Sequence, residues 1–386
     1  MKRSGQKTIR QAAAALCAAA FFLGAAGISS AAQLAPPPQV SAKSAALLDG
    51  TTGECLYVKN GEQRALIAST TKIMTGLLVC EAGELDRTMT VPDAAVGLEG
   101  SSMYLKKDET LTRRDLLYGM MLHSGNDAAL TLAISVSGSE AAFVRQMNLR
   151  ACALGLTQTH FANPHGLDAE DHYSTARDMA LLAAYAMDND DFARIVSSRS
   201  AVVQGQALYN HNKLLSLYEG CIGVKTGYTM AAGRTLVSCA ERGDTRFICV
   251  TLCDRDDWDD HAALYDWAFA NYEYVRVADA QTLYRVNAVG GDGPYAAARV
   301  ESDVYALLPV GAEWDISLEL PPFVICPVES GQEAGRLTVT SGGEAICSVP
   351  LVYASDMPAS GDSTGFFSGA KRFFANLGRP LYFSGG

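Results

Sequence analysis

The sequence is short of positive charge. It sets 31 Lys and Arg against 42 Asp and Glu, a net charge of −11. No broad basic surface is on offer, which excludes a nucleic acid as the main partner. Histidine is scarce as well. The six residues His123, His160, His165, His172, His211 and His261 form no H-E-x-x-H and no paired metal spacing, so neither metal nor cofactor is expected. Internal repeats and long low-complexity tracts are missing. The one long apolar run, residues 12–26, is too short to read as a spanning helix. A G-x-S-x-G motif occurs once, from Gly361 to Gly365, in a polar stretch with no strand before it, which excludes the nucleophile-elbow type of serine hydrolase.

What is present is ample material for a core. The 386 residues are 48% hydrophobic and 19% charged, enough for two domains and a tail. Lys2, Arg3, Lys7 and Arg10 precede the apolar run, and Ser30-Ala31-Ala32 follows it. This is the pattern of a secretory signal peptide over residues 1–32, with a mature chain starting near Ala32 or Gln33. Cys17 follows Leu16 rather than a small residue, which argues against lipid attachment. The other nine cysteines cannot all pair. Cys249 and Cys253 lie on one strand-like run, roughly 13 Å apart at the rise of a strand, too far for a disulfide with each other. The cysteines are expected as apolar core thiols; a bridge between Cys326 and Cys347 stays open.

Along the chain, residues 44–60 read as a hairpin around Asp49-Gly50 and Gly53. Helical period follows Ser69, then recurs over 112–123 with Thr112 as cap, over 127–135, 139–153, 175–187 and 190–198. "GVKTGYT", "RTLVSCAE" and "RFICVTLC" read as strands, and residues 259–272 as a closing helix. This order predicts an α/β domain with a mainly antiparallel sheet flanked by helices, over residues 41–275. Residues 280–353 carry short β-like runs separated by Gly, Pro and Asp, which predict a small all-β domain. Residues 354–386 read as a linker and tail. Phe366, Phe367, Ala370, Phe373, Phe374 and Leu377 share one helical stripe, with Lys371 and Arg372 off it. Such an amphipathic helix suits the membrane interface, and the outer face of the cytoplasmic membrane is the expected partner; a docked tail is the plainer alternative.

The chemistry starts from S-x-x-K, which is weak alone because the chain holds three: Ser4–Lys7, Ser69–Lys72 and Ser368–Lys371. Only the middle one has company. Ser124-Gly125-Asn126 is the single S-x-N, and Lys225-Thr226-Gly227 the single K-T-G. These elements fall on an expected helix start, an interhelical loop and a strand, and the combination is specific where each part is not. With these motifs, and with "FANPHGLD", "HYSTARDMA" and "KTGYTMAAGRTLV", the chain resembles the low-molecular-mass penicillin-binding proteins, serine-type D-alanyl-D-alanine carboxypeptidases. The resemblance covers residues 41–275 in detail; the β domain and tail match that family's layout more loosely. One departure is Gly125, where related enzymes often carry Asp.

The resemblance implies a penicillin-binding/β-lactamase-like domain, a peptidoglycan stem peptide as substrate and β-lactam antibiotics as ligands. It also implies a secreted enzyme held peripherally at the cell membrane. Ser69 is the expected nucleophile, and Lys72, three residues on along the helix, its base. Burial and a second cation at Lys225 would lower the Lys72 pKa. Ser124 is the expected proton relay to the leaving nitrogen, and Asn126 offers an amide to the substrate backbone. Lys225 and Thr226 would hold the terminal carboxylate, and Gly227 would let the substrate lie close to the strand. The oxyanion donors are expected to be the backbone N–H of Ser69 and, by resemblance, that of Tyr228. Arg234 and Arg255 are either contributors to that field or plain surface charges. His165 and His172 are expected as structural hydrogen-bonders near the site. Two other readings share the motifs. A class A-like β-lactamase would need a dedicated glutamate, and no E-P-x-x-N-like run lies between Ser124 and Lys225. A non-catalytic cell-wall-peptide or penicillin sensor would not need the motif residues intact.

Overall fold

The computed structural model describes residues 34–360. The signal peptide expected over 1–32 and the amphipathic stripe from Phe366 to Leu377 lie outside the described residues. Two compact units are present, one formed by Ala35–Tyr274 and one by the chain from Val275 onward.

The first unit is built on a five-stranded antiparallel sheet. Its strand order is Cys55–Lys59, Ser44–Asp49, Thr245–Leu252, Gly233–Arg242 and Cys221–Thr229, which leaves Cys221–Thr229 at one edge. Alternation along the strands loads both faces with apolar side chains. Ile248, Val250 and Leu252 point into a core shared with the Ala176–Met187 helix and the bundle beyond it. Thr251 points the other way, to helix Asp257–Asn271. There His261 joins Ser238 and Thr251 through its two ring nitrogens, and Ser238 also meets the Tyr265 hydroxyl. Burial lowers the His261 pKa to about 3, so this network is held by a neutral ring.

The helical layer comprises Lys72–Ala82, Arg113–Leu122, Asn126–Ser137, Glu140–Ala153, Ala176–Met187 and Asp190–Ser197. Their starts are set by side chains the sequence displays. Thr112 and Asp115 form a reciprocal capping box, and Ser139, Thr175 and Asn189 accept from the first-turn N–H groups of their helices. The Lys72 helix differs from expectation. Residues Ala68–Thr71 form a 3-10 turn, the α-helix begins at Lys72, and no side chain caps it. Ser69 is therefore not a cap. Two short antiparallel strand pairs, Thr88–Thr90 with Thr110–Thr112 and Ser200–Val203 with Gln206–Tyr209, add to the expected elements; they are too short to display a period of two.

The second unit is all β among the described residues. A six-stranded sheet runs from Trp314–Glu319 through Glu333–Ser341, Glu344–Tyr353, Tyr295–Arg299 and Tyr284–Val289 to Val324–Ile325. Strand Tyr272–Ala278, which leads the chain into this unit, pairs with Val304–Pro309. Val286, Ala298, Leu308, Leu337, Val339 and Leu351 form its core. All nine cysteines of the described residues are free, so the open bridge between Cys326 and Cys347 is not made. Cys80, Cys239, Cys249 and Cys326 are core thiols as expected, whereas Cys55, Cys152 and Cys253 are exposed. Cys253 lies just beyond its strand, at a φ of 53°.

Asp127 links the helical layer to the loop that carries Ser101. Its buried carboxylate accepts from Ser102 Oγ and from the backbone N–H groups of Met103, Leu105 and Ala128. Replacing Asp127 by Ala strands several donors at once. A loss of about 3 kcal/mol is expected in urea unfolding, against about 1 kcal/mol for Thr112→Ala, where only a cap is removed.

Candidate active site

The 3-10 turn Ala68–Thr71 packs against edge strand Cys221–Thr229 at closest quarters where that strand has no side chain. A Cβ on Gly227 would lie 2.9 Å from the Ser69 nitrogen and 3.1 Å from that of Thr70, and would collide with Thr235 Oγ1. From the other side Gly166, at φ +91°, presses on the Ala68 carbonyl. Ala68 itself sits at φ 46°, a conformation that costs an alanine energy and that its neighbours must impose. The turn is fixed further by its threonines. Thr70 Oγ1 donates to the Ile67 carbonyl at 2.6 Å and Thr71 Oγ1 to that of Ala68 at 2.8 Å. His172 accepts the Ala162 N–H on Nδ1. Its proton therefore lies on Nε2, which meets Thr71 Oγ1 at 2.7 Å. Burial lowers the His172 pKa to about 4 and that of His165 to about 3. Both are neutral at physiological pH.

The result is that Ser69 faces Lys72. Lys72 Nζ lies 3.0 Å from Ser69 Oγ, 2.7 Å from Asn126 Oδ1 and 2.5 Å from the His165 carbonyl oxygen. The orientation of the Asn126 amide is fixed by its other end, where Nδ2 donates to the Glu99 carbonyl at 2.6 Å. Asn126 Oδ1 and the His165 carbonyl can only accept. A neutral amine has two N–H groups for them and one lone pair, and the lone pair then meets the Ser69 hydroxyl. Lys72 is fully buried, and desolvation first, then the charge of Lys225, hold its pKa well below the ordinary value for lysine. Lys225 is also buried, donates to the Thr226 carbonyl at 2.9 Å, and is lowered by desolvation to about 7.

Two cavities meet at Ser69. One, of about 450 Å³, is lined by Ser69, Ser124, Thr226, Gly227 and Tyr228, and on its far wall by His211, Arg234, Asp257 and Trp258. The other, of about 360 Å³, is lined by Ser69, Asn126 and Tyr228 with Gly100, His165, Gly166, Leu167 and Thr229. Ser101 borders both. Ser124 sits in the loop between two helices at φ 65°, again outside the ordinary range for a residue with a side chain. The three motifs thus converge, with Lys225 behind the surface rather than lining it. Gly227 lines the first cavity and has a further reason beside the one read from sequence: the chain's own turn requires it. Gly125 lacks a side chain for a similar reason, since a Cβ there would lie 2.9 Å from Asp127 Oδ1 and 3.0 Å from Met103 Cγ. Arg234 lines the first cavity but is committed to Asp257, with Nε to Oδ2 at 3.0 Å and a second, shorter contact from Nη2. Arg255 is exposed and lines neither cavity. Sequence reasoning did not find Ser101, His211, Asp257 or Trp258, for no motif marks them.

Residues 31–256 match the family model described as D-alanyl-D-alanine carboxypeptidase, and residues 272–359 match that of the penicillin-binding protein 5 C-terminal domain. The chain belongs to the D-alanyl-D-alanine carboxypeptidase family. Among its relatives, D-alanyl-D-alanine carboxypeptidase DacF of Bacillus subtilis (strain 168) is 34% identical over 338 residues, covering 83% of this chain and 87% of the relative. DacA of Escherichia coli (strain K12) is 33% identical over 346 residues, covering 83% and 85%. Among solved structures, penicillin-binding protein 5 of Haemophilus influenzae superposes with a TM-score of 0.75 at 29% identity, over 84% of this chain and 99% of that one. Family membership and this likeness bear out the expected fold of a penicillin-binding domain followed by a β domain.

The lysine geometry carries its own test. In the wild type, lysine-selective ¹⁵N NMR should show Lys72 losing its proton well below the ordinary lysine range. Lys225→Met removes a like charge, so the Lys72 titration should move to higher pH; a shift to lower pH, or none, contradicts the coupling.

Proposed function

We propose that this protein is a serine D,D-carboxypeptidase that removes the terminal D-alanine from peptidoglycan stem pentapeptides. The observation that carries the reading is the buried Lys72 amine, whose Nζ lies within hydrogen-bond distance of Ser69 Oγ, Asn126 Oδ1 and the His165 carbonyl oxygen. Lys72 takes the Ser69 proton as Oγ attacks the carbonyl of the penultimate residue. The resulting oxyanion is received by backbone N–H groups of Ser69 and Tyr228. The C–N bond then breaks, and the leaving D-alanine nitrogen takes a proton through Ser124. Water hydrolyses the Ser69 ester and releases the tetrapeptide. The substrate backbone lies along the free edge of strand Cys221–Thr229, the place where an extended peptide adds to a sheet. The second Nδ2 hydrogen of Asn126 is available to it. Lys225 and Thr226 supply the field and hydroxyl for the terminal carboxylate. A β-lactam presents the same pair of groups, a strained amide and a carboxylate, and acylates the same serine.

The β-lactamase reading finds less support. No glutamate lines either cavity, and the one carboxylate that does, Asp257, is held by Arg234. The dedicated glutamate of a class A-like enzyme therefore has no counterpart in the lining of either cavity, and a long-lived adduct with a β-lactam is expected. The sensor reading would leave the base geometry without a use. Action outside the cytoplasm, at the membrane surface, belongs to the same proposal and rests on the sequence of the two termini.

Labelled penicillin should attach covalently to the wild type and not to Ser69→Ala. Release of D-alanine from a diacyl pentapeptide should fall by about 10³-fold or more in Lys72→Ala. Unchanged labelling of Ser69→Ala would remove that serine from its role.

A pH effect follows from Lys225. With a pKa near 7 in the free protein, this amine is mostly neutral at pH 8. An anion beside it favours the charged form and raises the pKa, so binding must take up a proton above neutrality. Calorimetry in buffers of different ionisation enthalpy should detect that uptake at pH 8 and little at pH 5.5. KM should climb between pH 7 and 9; a flat KM contradicts the assignment.

A further inference from the structure

A third cavity, of about 350 Å³, opens beside the strand pair Ser200–Val203 and Gln206–Tyr209. Its volume falls within the range of small-ligand sites, about 300–1,000 Å³. One length of chain divides it from the nucleophile: His211 lines the 450 Å³ cavity at Ser69, while its neighbours Asn210 and Asn212 line this one. The frame is held by side-chain amides. Asn210 Nδ2 donates to the Val196 and Ser198 carbonyls at 3.1 and 3.0 Å, and Asn210 Oδ1 accepts the Asn212 N–H at 2.9 Å. Asn212 Oδ1 accepts the Leu214 N–H at 3.1 Å. Asn212 is buried, and its Nδ2 meets no oxygen, only the sulfur of Cys221. Arg199 and Lys213 both line the cavity, and among the described residues no Asp or Glu does. Neither cation makes an ion pair among the described residues. Arg234 on the wall of the Ser69 cavity, by contrast, is committed to Asp257. Two unmatched cations on one cavity run against the net charge of −11. Beside them Tyr209 and Leu217, also in the lining, are 69% and 67% exposed, so the fold leaves their apolar surface uncovered.

These features are complementary to a saccharide that carries an acid group. An exposed aromatic ring covers the C–H face of a sugar. An amide short of an acceptor suits a hydroxyl, and an Arg with a Lys suits a carboxylate. A bare inorganic anion would leave Tyr209 and Leu217 unused, and an acyl chain would leave the amide and both cations unused. We propose that this cavity binds an acidic saccharide, a stretch of wall glycan whose sugar carboxylates are free of peptide. The site holds the protein on the polymer that carries its substrate, and so raises the local concentration of neighbouring stem peptides before Ser69. The identity of the polymer rests on the carboxypeptidase reading; the site goes beyond it, since no step at Ser69 uses Arg199, Lys213 or Tyr209.

The test measures binding of the full chain, by fluorescence anisotropy at low ionic strength, to end-labelled glycan strands from which the stem peptides have been stripped. The same strands with their carboxylates converted to amides are the control, and a glycerol phosphate polymer is a third probe. The wild type should bind the carboxylate strands about tenfold or more tighter than the amidated ones. Arg199→Gln and Lys213→Gln should each weaken that binding about three- to tenfold, an effect that shrinks as salt is raised. Tyr209→Ala should weaken it at every salt concentration. All three variants should keep penicillin labelling and D-alanine release from a diacyl pentapeptide, which shows them folded, and should lose part of the wild-type rate on polymeric wall alone. Equal binding of the two strand types, binding untouched in both cation variants, or binding of the phosphate polymer in place of the glycan overturns the proposal. The stripped strands carry no peptide to react at Ser69, so those outcomes leave the carboxypeptidase reading intact. Absence of D-alanine release from the wild type overturns that reading and leaves the glycan measurement to decide the site.

Discussion

The burial of one lysine amine organises this site. Taking an ammonium ion out of water costs several kcal/mol even after the protein relaxes. Lys72 is completely buried, with a second amine near enough to repel its charge. The neutral form avoids both penalties, provided that its two N–H groups find acceptors and its lone pair finds a donor. Those partners come from three separate places in the chain: Asn126 at the start of a helix, the His165 carbonyl in a loop, and the Ser69 hydroxyl in a 3-10 turn. None can move without leaving a buried polar atom unpaired. The requirement that keeps the amine satisfied also points it at the Ser69 hydroxyl.

Close backbone packing supplies the rest. Ser69 is held between edge strand Cys221–Thr229 and the loop around Gly166, and each approaches so nearly that only glycine fits. The cost appears as positive φ angles at Ala68 and Ser124, on either side of the reacting atoms. His172 enters the same scheme as a neutral ring tying Thr71 to Ala162. Each is part of holding a hydroxyl and an amine at hydrogen-bond distance, where a displacement of about 1 Å costs about a hundredfold in rate.

Much of this was legible in the sequence, for definite reasons. The helix after Thr112 announces itself because the cap residue is the physical cause of the boundary, whereas those after Ser139, Thr175 and Asn189 were read from period and the structure shows their caps. The three motif segments were legible because their chemistry needs particular side chains. The turn Ala68–Thr71 was not, since what makes it is packing against Gly227 and Gly166, distant in sequence and silent about their partners. The second demand on Gly227, close packing of the chain's own turn, was hidden for the same cause: a missing side chain does not say what packs against its place. Asp257 and Arg234 were opaque in another way. Each is an ordinary charged residue until the fold sets one against the other, and the pair then cancels a cation that sequence alone left undecided.

That cancellation bears on how an acidic chain handles an anionic substrate. With Arg234 matched by Asp257, the Lys225 charge is what remains where the proposed mechanism puts the leaving group, and desolvation makes even that charge conditional on pH. A permanent cation would attract any anion. A buried amine near its titration point becomes fully charged when a carboxylate arrives to stabilise it, so recognition and protonation are one event. The same desolvation keeps Lys72 neutral enough to accept a proton. One physical condition, exclusion of water from the space behind Ser69, therefore underlies both roles in the proposed mechanism, Lys72 as base and Lys225 as binding cation. The two amines differ in setting because Lys72 meets the hydroxyl of Ser69, while Lys225 donates to the main-chain carbonyl of Thr226.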